Sequence, residues 1–177
     1  MRRTPLQRRS AERVDRMLDA AAALLDDGGY DALSTRAVAT RTGMPIGSIY
    51  RFFNDKRSLA AALTRRNLDQ FLSRLEPKLA GASGWDPVID TVVDEYLDMK
   101  ATVPGFAVLD FGDNAEVAQA LAGLLGLRDG ARVLLVAVEA ADALLRAHHD
   151  EPELVAETKQ LLRSYLGRRL PPPVGDR

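Results

Sequence analysis

The chain has 177 residues, 46% hydrophobic and 28% charged, with a formal net charge of −1 and no cysteine. This is the composition of a globular protein able to bury a core, and it excludes disulfides, thiolate metal sites and a cysteine nucleophile. No apolar run approaches the roughly 20 residues that span a bilayer, and the basic N-terminus lacks a signal-peptide core, so a cytoplasmic protein with no membrane partner is expected. The small net charge hides an asymmetry: residues 1–78 carry 15 Lys+Arg and 9 Asp+Glu, residues 79–177 carry 9 and 16. Solvated helices produce such a balance by chance, and so does a half that meets a polyanion.

Residues 1–9 hold Arg2, Arg3, Arg8 and Arg9 beside Pro5. They read either as a flexible basic arm that follows phosphates or as a charged terminus without a role. Ser10 is placed to cap a first helix, in which Val14, Met17, Leu18, Ala21, Leu24 and Leu25 form one apolar stripe. Gly28-Gly29 ends it, and Tyr30 and Leu33 follow as expected core plugs. Ser34 or Thr35 caps a short helix to about Arg41, with Ala37 and Val38 facing inward. Thr42-Gly43-Met44 turns the chain, and Pro45 takes the first position of the next helix, to about Phe52. Ile49 points inward on that helix. Asn54 or Asp55 caps a long fourth helix whose apolar face is Leu59, Leu63, Leu68, Phe71, Leu72, Leu75 and Leu79. Its stripe shifts near Arg65-Arg66-Asn67, as expected of a connector between two bodies.

After the break at Gly81–Gly84, Asp86-Pro87 signals a helix start carrying Val88, Ile89, Val92, Val93, Tyr96 and Leu97. Pro104-Gly105 interrupts it, and residues 106–111 are at most a short helix. A helix is expected over Asn114–Leu125, then a long apolar one over 131–149. Asp150 with Glu153 resembles a capping box before a last helix over 151–167, and Pro171-Pro172-Pro173 opens a frayed tail. The expected fold is all-α.

The stretch LSTRAVATRTGMPIGSIYRFFNDK, residues 33–56, is two short helices around a sharp turn. Its second helix carries small and polar residues where a core helix would carry leucines. Gly47 and Ser48 let a backbone approach base edges, at a cost of about 1 kcal/mol for glycine inside a helix. Ser48 can bond a base edge or phosphate, Tyr50 a phosphate or thymine methyl, Arg51 a phosphate, and Ile46 thymine methyls. Lys56 opens a helix whose free N–H groups also attract phosphate.

With its capped first helix, GGYDALSTRAVA, TGMPIGSIYRFF and NDKRSL, the N-terminal part (about 70 residues) resembles the TetR family of bacterial transcriptional regulators. The remainder is similar only in architecture. The resemblance implies a three-helix helix-turn-helix DNA-binding domain joined by a long helix to an all-helical ligand-binding and dimerisation domain. It places Thr35 and Arg36 against DNA as well, and implies a homodimer on a palindromic operator, released when a small-molecule effector binds. The boundaries are then 1–9 for the arm, 10–56 for the DNA-binding domain, 57–80 for the connecting helix, 81–170 for the ligand-binding and dimerisation domain and 171–177 for the tail.

Helices as apolar as 131–149 and 151–167 exceed what so small a domain can cover, so they are expected to pair with their copies in a homodimer. Candidate effector contacts are Trp85, Tyr96, Met99, Phe106, Leu109, Phe111, Leu121 and Leu145, each of which also reads as ordinary core. His148-His149 does not share a helix face, so no metal or cofactor is expected beyond the effector. No nucleophile–base constellation or phosphate-cradling loop marks an enzyme. The competing reading is a helical protein-interaction module without specific DNA binding.

Overall fold

A computed structural model of the chain describes residues 5–127 and 129–173. Among these residues it is all-helical: α1 (Pro5–Ala32), α2 (Thr35–Thr42), α3 (Ile46–Tyr50), α4 (Lys56–Leu79), α5 (Trp85–Thr102), α6 (Asn114–Leu124), α7 (Ala131–His148) and α8 (Pro152–Arg169). The contacts fall into two compact units. One holds residues up to Asn67 together with Lys100–Gly112; the other holds Leu68–Met99 and the residues from Asp113 onward. The division therefore falls within α4, next to the stretch where its apolar stripe shifts.

The first unit is built on α1. Met17, Leu18, Ala21 and Leu25 turn one face of that helix onto Leu33, Val38, Ala39, Ile49, Phe53, Leu59 and Leu63, all buried. Helix begins at Pro5, so Ser10 is an interior residue rather than a cap and residues 5–9 are not an irregular arm. Arg2 and Arg3 of that arm lie outside the described residues. Helical geometry is broken at Gly28 and Gly29, the latter at φ 66°, a left-handed conformation that a side chain disfavours. Beyond the break Leu33 is buried, but Tyr30 is 40% exposed and does not plug the core.

Residues 103–112 belong to this unit as a run of turns. The Asp26 carboxylate accepts the Gly105 N–H at 2.8 Å, and the Asn67 amide nitrogen donates to Leu109 O at 2.7 Å and Asp110 O at 3.0 Å. Phe106 and Phe111 meet edge to face at 5.1 Å, and Leu109 packs on the α1 core. The sequence offers these three side chains as effector contacts; in the structure they fill and close the first unit.

In the second unit, α4 buries Leu68, Phe71, Leu75 and Leu79, and α5 buries Trp85, Val88, Ile89, Val93 and Met99. Each face repeats every three to four residues, as helical packing requires. One acid lies inside. Glu95 is 2% exposed, accepts from Arg74 at 3.1 Å and is bonded to Lys78. Burial alone would raise its pKa, and it is the largest single influence. The two cations together outweigh it and hold the carboxyl below its ordinary value. Along the other side of α5, Asp86 and Asp90 meet Arg163 of α8, and Asp90 and Asp94 meet Lys159.

Several ends differ from the sequence expectation. Helix α5 starts at Trp85, which puts Asp86 in the first turn rather than at the cap. Glu151, not Asp150, caps α8, with Pro152 opening it and no side-chain cap bond. The proline is the stronger start signal because its missing N–H is one that the helix leaves unpaired anyway. The first tail residues are held rather than frayed: Pro173 is buried and its carbonyl accepts the Gly84 N–H at 3.3 Å.

Candidate nucleic-acid interface

The reading segment is assembled locally. Ser34 is extended, and its hydroxyl accepts the Ala37 N–H at 3.0 Å, capping α2. Gly43 ends α2 in a left-handed turn at φ 67°. The Thr42 hydroxyl donates to Val38 O at 2.8 Å and accepts the Met44 N–H at 3.3 Å, while Arg16 of α1 donates to Thr42 O at 3.4 Å. One threonine thus holds both sides of the turn. Pro45, at ψ 137°, precedes α3 as its cap rather than opening it, and its carbonyl accepts the Ser48 N–H at 2.8 Å. Phe52 and Phe53 both donate to Ile49 O at 2.9 Å and close the helix.

Helix α3 is therefore short and two-faced. Ile49 is fully buried. Away from that contact Ile46 is 40% and Tyr50 51% exposed, with Gly47 and Arg51 exposed as well and Ser48 half-buried. Ile46 and Tyr50, like Gly47 and Arg51, are four apart and share a helix face. A Cβ at Gly47 would meet nothing within 4 Å. Packing inside the protein does not call for glycine there.

Around this face, Arg36 is exposed in the first turn of α2. Thr35, expected beside it on the DNA side, is instead buried at 8% exposure; as the first residue of α2 its side chain turns to the core. The start of α4 is a reciprocal capping box. Asp55 accepts the Ser58 N–H at 2.8 Å, and the Ser58 hydroxyl oxygen accepts the Asp55 N–H at 3.2 Å. The bond from the Ser58 N–H holds the Asp55 carboxyl below its usual pKa. Lys56 follows directly, its ammonium 4.0 Å from the Tyr30 ring centre and 3.8 Å from an Asp31 oxygen. From the sequence Tyr30 reads as core, and no motif singles out Asp31. The available signal is the double glycine just before them, which ends the regular helix and with it the stripe that assigns residues to the core.

The other candidate residues lie apart from this face. Trp85, Met99, Leu121 and Leu145 are buried in the second unit, and Tyr96 there is half-buried. No group of three His, Cys, Asp or Glu among the described residues is arranged to hold a metal. No helix among them is long and apolar enough to cross a membrane.

Residues 17–63, which span the α1 core through the first turns of α4, match the family model described as bacterial regulatory proteins, tetR family. The chain is 41% identical over 63 residues to the HTH-type transcriptional repressor KstR of Rhodococcus jostii, covering 36% of this chain and 30% of that protein. The match thus spans about a third of that relative's length. The FadR transcriptional regulator of Bacillus subtilis, whose crystal structure is a complex with stearoyl-CoA, shares the fold at TM-score 0.63 and 19% identity, over 85% of this chain and 97% of that one. A TetR-family transcriptional regulator from Streptomyces coelicolor is 50% identical, covering 89% of this chain and 99% of that one, with a TM-score of 0.82. With half its residues identical to that regulator along nearly all of the regulator's length, and with the family model matched over its helix-turn-helix, this chain belongs to the TetR family of bacterial regulatory proteins.

Proposed function

We propose that the chain is a sequence-specific DNA-binding transcriptional repressor that works as a homodimer on a palindromic operator. The observation that carries this reading is the outward face of α3. An isoleucine and a tyrosine stand exposed on a five-residue helix, next to a glycine that internal packing does not require. Arg36 is exposed on α2, and Lys56 opens α4. An exposed apolar and aromatic surface edged by cations suits a major groove, where thymine methyls and base edges lie between rows of phosphate. Ile46, Gly47, Ser48 and Tyr50 would meet bases, Arg36 would take a guanine edge, and Arg51 and Lys56 would hold phosphates. Thr35, being buried, is left out.

Dimerisation is assigned to α7 and α8. Val136 is 52% and Leu161 49% exposed, and both line a groove along the two helices with Ala140, Leu144 and Tyr165. Pairing this face with its copy about a two-fold axis would bury it, and the same axis would set two α3 helices one DNA turn apart, about 34–36 Å.

The repressor is released by a small-molecule effector bound in the second unit, where Trp85, Tyr96, Met99, Leu121 and Leu145 remain candidate contacts. Helix α4 runs through both units, so an effector that favours another setting of α4 would draw the reading heads off successive grooves. The protein acts by binding, in the cytoplasm, and not as an enzyme.

A mobility shift at two salt concentrations, with DNA from upstream of the protein's own gene, tests the central reading. Selective binding that weakens steeply with salt is expected. Equal affinity for every fragment would favour a helical protein-interaction module instead.

A further inference from the structure

We propose that Tyr30 is a positioning residue for DNA binding: its ring holds the Lys56 ammonium ready for a backbone phosphate, while Asp31 serves as the counter-anion that the phosphate displaces. The inference rests on the assignment of Lys56 to a phosphate contact made above.

Three observations carry it. First, Tyr30 is 40% exposed although it follows a helix rich in buried apolar residues, so core packing does not explain its ring. Second, the Lys56 ammonium lies 4.0 Å from the centre of that ring, well inside the range at which a cation is attracted to the π face. Third, the same ammonium is 3.8 Å from Asp31, whose side chain is fully exposed. The break at Gly28 and Gly29 is what brings these neighbours together. A Cβ on Gly28 would come within 2.9 Å of the Ala32 Cβ, and Gly29 sits at φ +66°. Without the break, Tyr30 and Asp31 would continue the turns of α1.

The physical gain is preorganisation. A lysine stem loses rotamer freedom when its ammonium is fixed on a phosphate. A ring that restricts the stem in the free protein removes part of that loss. An aromatic face also attracts the cation without neutralising its charge, so the ammonium remains fully available. Asp31 acts the other way: it offsets the charge in the free protein and must yield when phosphate arrives.

The test is quantitative mobility shift with the full chain and the upstream fragment, alongside thermal unfolding. Tyr30→Phe keeps the π face and is expected to bind within about twofold of the parent. Tyr30→Leu keeps apolar bulk but not the face, and should bind about three- to tenfold more weakly at an unchanged melting temperature. In a Lys56→Ala background, Tyr30→Leu should have no further effect. Asp31→Asn should tighten binding about two- to threefold at low salt, with the gain fading as salt rises. Parent-like binding by Tyr30→Leu, or an equal loss with and without Lys56, overturns the positioning role. Weaker binding by Asp31→Asn overturns the counter-anion role. If Lys56→Ala alone changes neither affinity nor salt dependence, the phosphate assignment falls and takes this inference with it. A neutral Tyr30→Leu beside a damaging Lys56→Ala removes the inference alone.

Discussion

The Asp26 carboxylate accepts the backbone N–H of Gly105 at 2.8 Å, which fastens a turn from far along the chain onto the last helical turn of α1 before its glycine break. Gly105 lies at φ +75°, and a Cβ there would come within 3.0 Å of the Ala22 Cα and 3.1 Å of its carbonyl oxygen. Gly105→Ala therefore meets both an unfavourable backbone and a backbone clash. A loss of about 2–3 kcal/mol is expected, seen as a lower denaturation midpoint. Asp26→Asn, which keeps an acceptor oxygen, should cost about 1 kcal/mol or less.

Gly47 should separate stability from function. Space around it is open, and alanine is the better helix former by about 1 kcal/mol. Gly47→Ala is expected to leave stability unchanged or raise it, while the added methyl weakens operator binding by about tenfold or more where the backbone nears the bases. Chemical denaturation and mobility shift on one preparation would check both signs. Operator affinity equal to the parent's would remove Gly47 from the contact surface.

Tyr50 is half exposed, so Tyr50→Ala should lower affinity by about tenfold with little change in melting temperature. Arg36→Ala should also relax the base preference at one operator position, since a bidentate arginine discriminates bases by about 1–3 kcal/mol. Binding to a library of single-base operator variants would measure this. A folded Tyr50→Ala, Arg36→Ala double variant that keeps its affinity would refute both contacts.

Glu95 gives the second unit a pH dependence. Its pKa in the folded state lies below the ordinary value, so the unfolded chain binds this proton more readily. The stabilisation is complete above the unfolded value, about 4.3, and is lost as pH falls through the folded one. Glu95→Gln should destabilise the protein by about 2–3 kcal/mol at neutral pH, because the partner cations Arg74 and Lys78 keep partial access to water. The variant's melting temperature should also fall less steeply below about pH 4.5. Asp55, held low by the Ser58 N–H, adds an effect of the same sign, so the variant's acid limb flattens without vanishing.

The face of α7 and α8 is tested by Leu161→Arg. A charge at this half-exposed position leaves the protomer's own core intact but opposes pairing with a copy. Sedimentation at micromolar concentration should show a folded monomer where the parent is a dimer, with operator affinity reduced accordingly. A dimeric Leu161→Arg protein would move the interface elsewhere.

The helices were legible in the sequence because each buries a stripe at helical spacing: Met17, Leu18, Ala21 and Leu25 on α1, or Leu59 and Leu63 on α4. The α2–turn–α3 geometry was legible too, since Ser34 and Gly43 are residue types chosen by cap and turn chemistry. Tyr30 was misread because an aromatic after an apolar helix looks like core, and only the partner Lys56, 26 positions away, gives it other work. Thr35 is buried, and a first-turn threonine carries no sign in the sequence of which way it faces. Phe106, Leu109 and Phe111 were grouped with effector contacts because apolar periodicity does not say which of two bodies a segment joins. That choice rests on Asp26 and Asn67, polar residues whose backbone partners no local pattern reveals.

Trp85 is the only tryptophan in the chain. It is 7% exposed, its indole nitrogen has no hydrogen-bond partner among the described residues, and it lies against Gly167 of α8. Its fluorescence is therefore a built-in label for the second unit alone. A red shift of its emission during unfolding marks the opening of the α5–α8 seam, and comparison with the loss of helical signal from the whole chain shows whether the two units melt together or in turn.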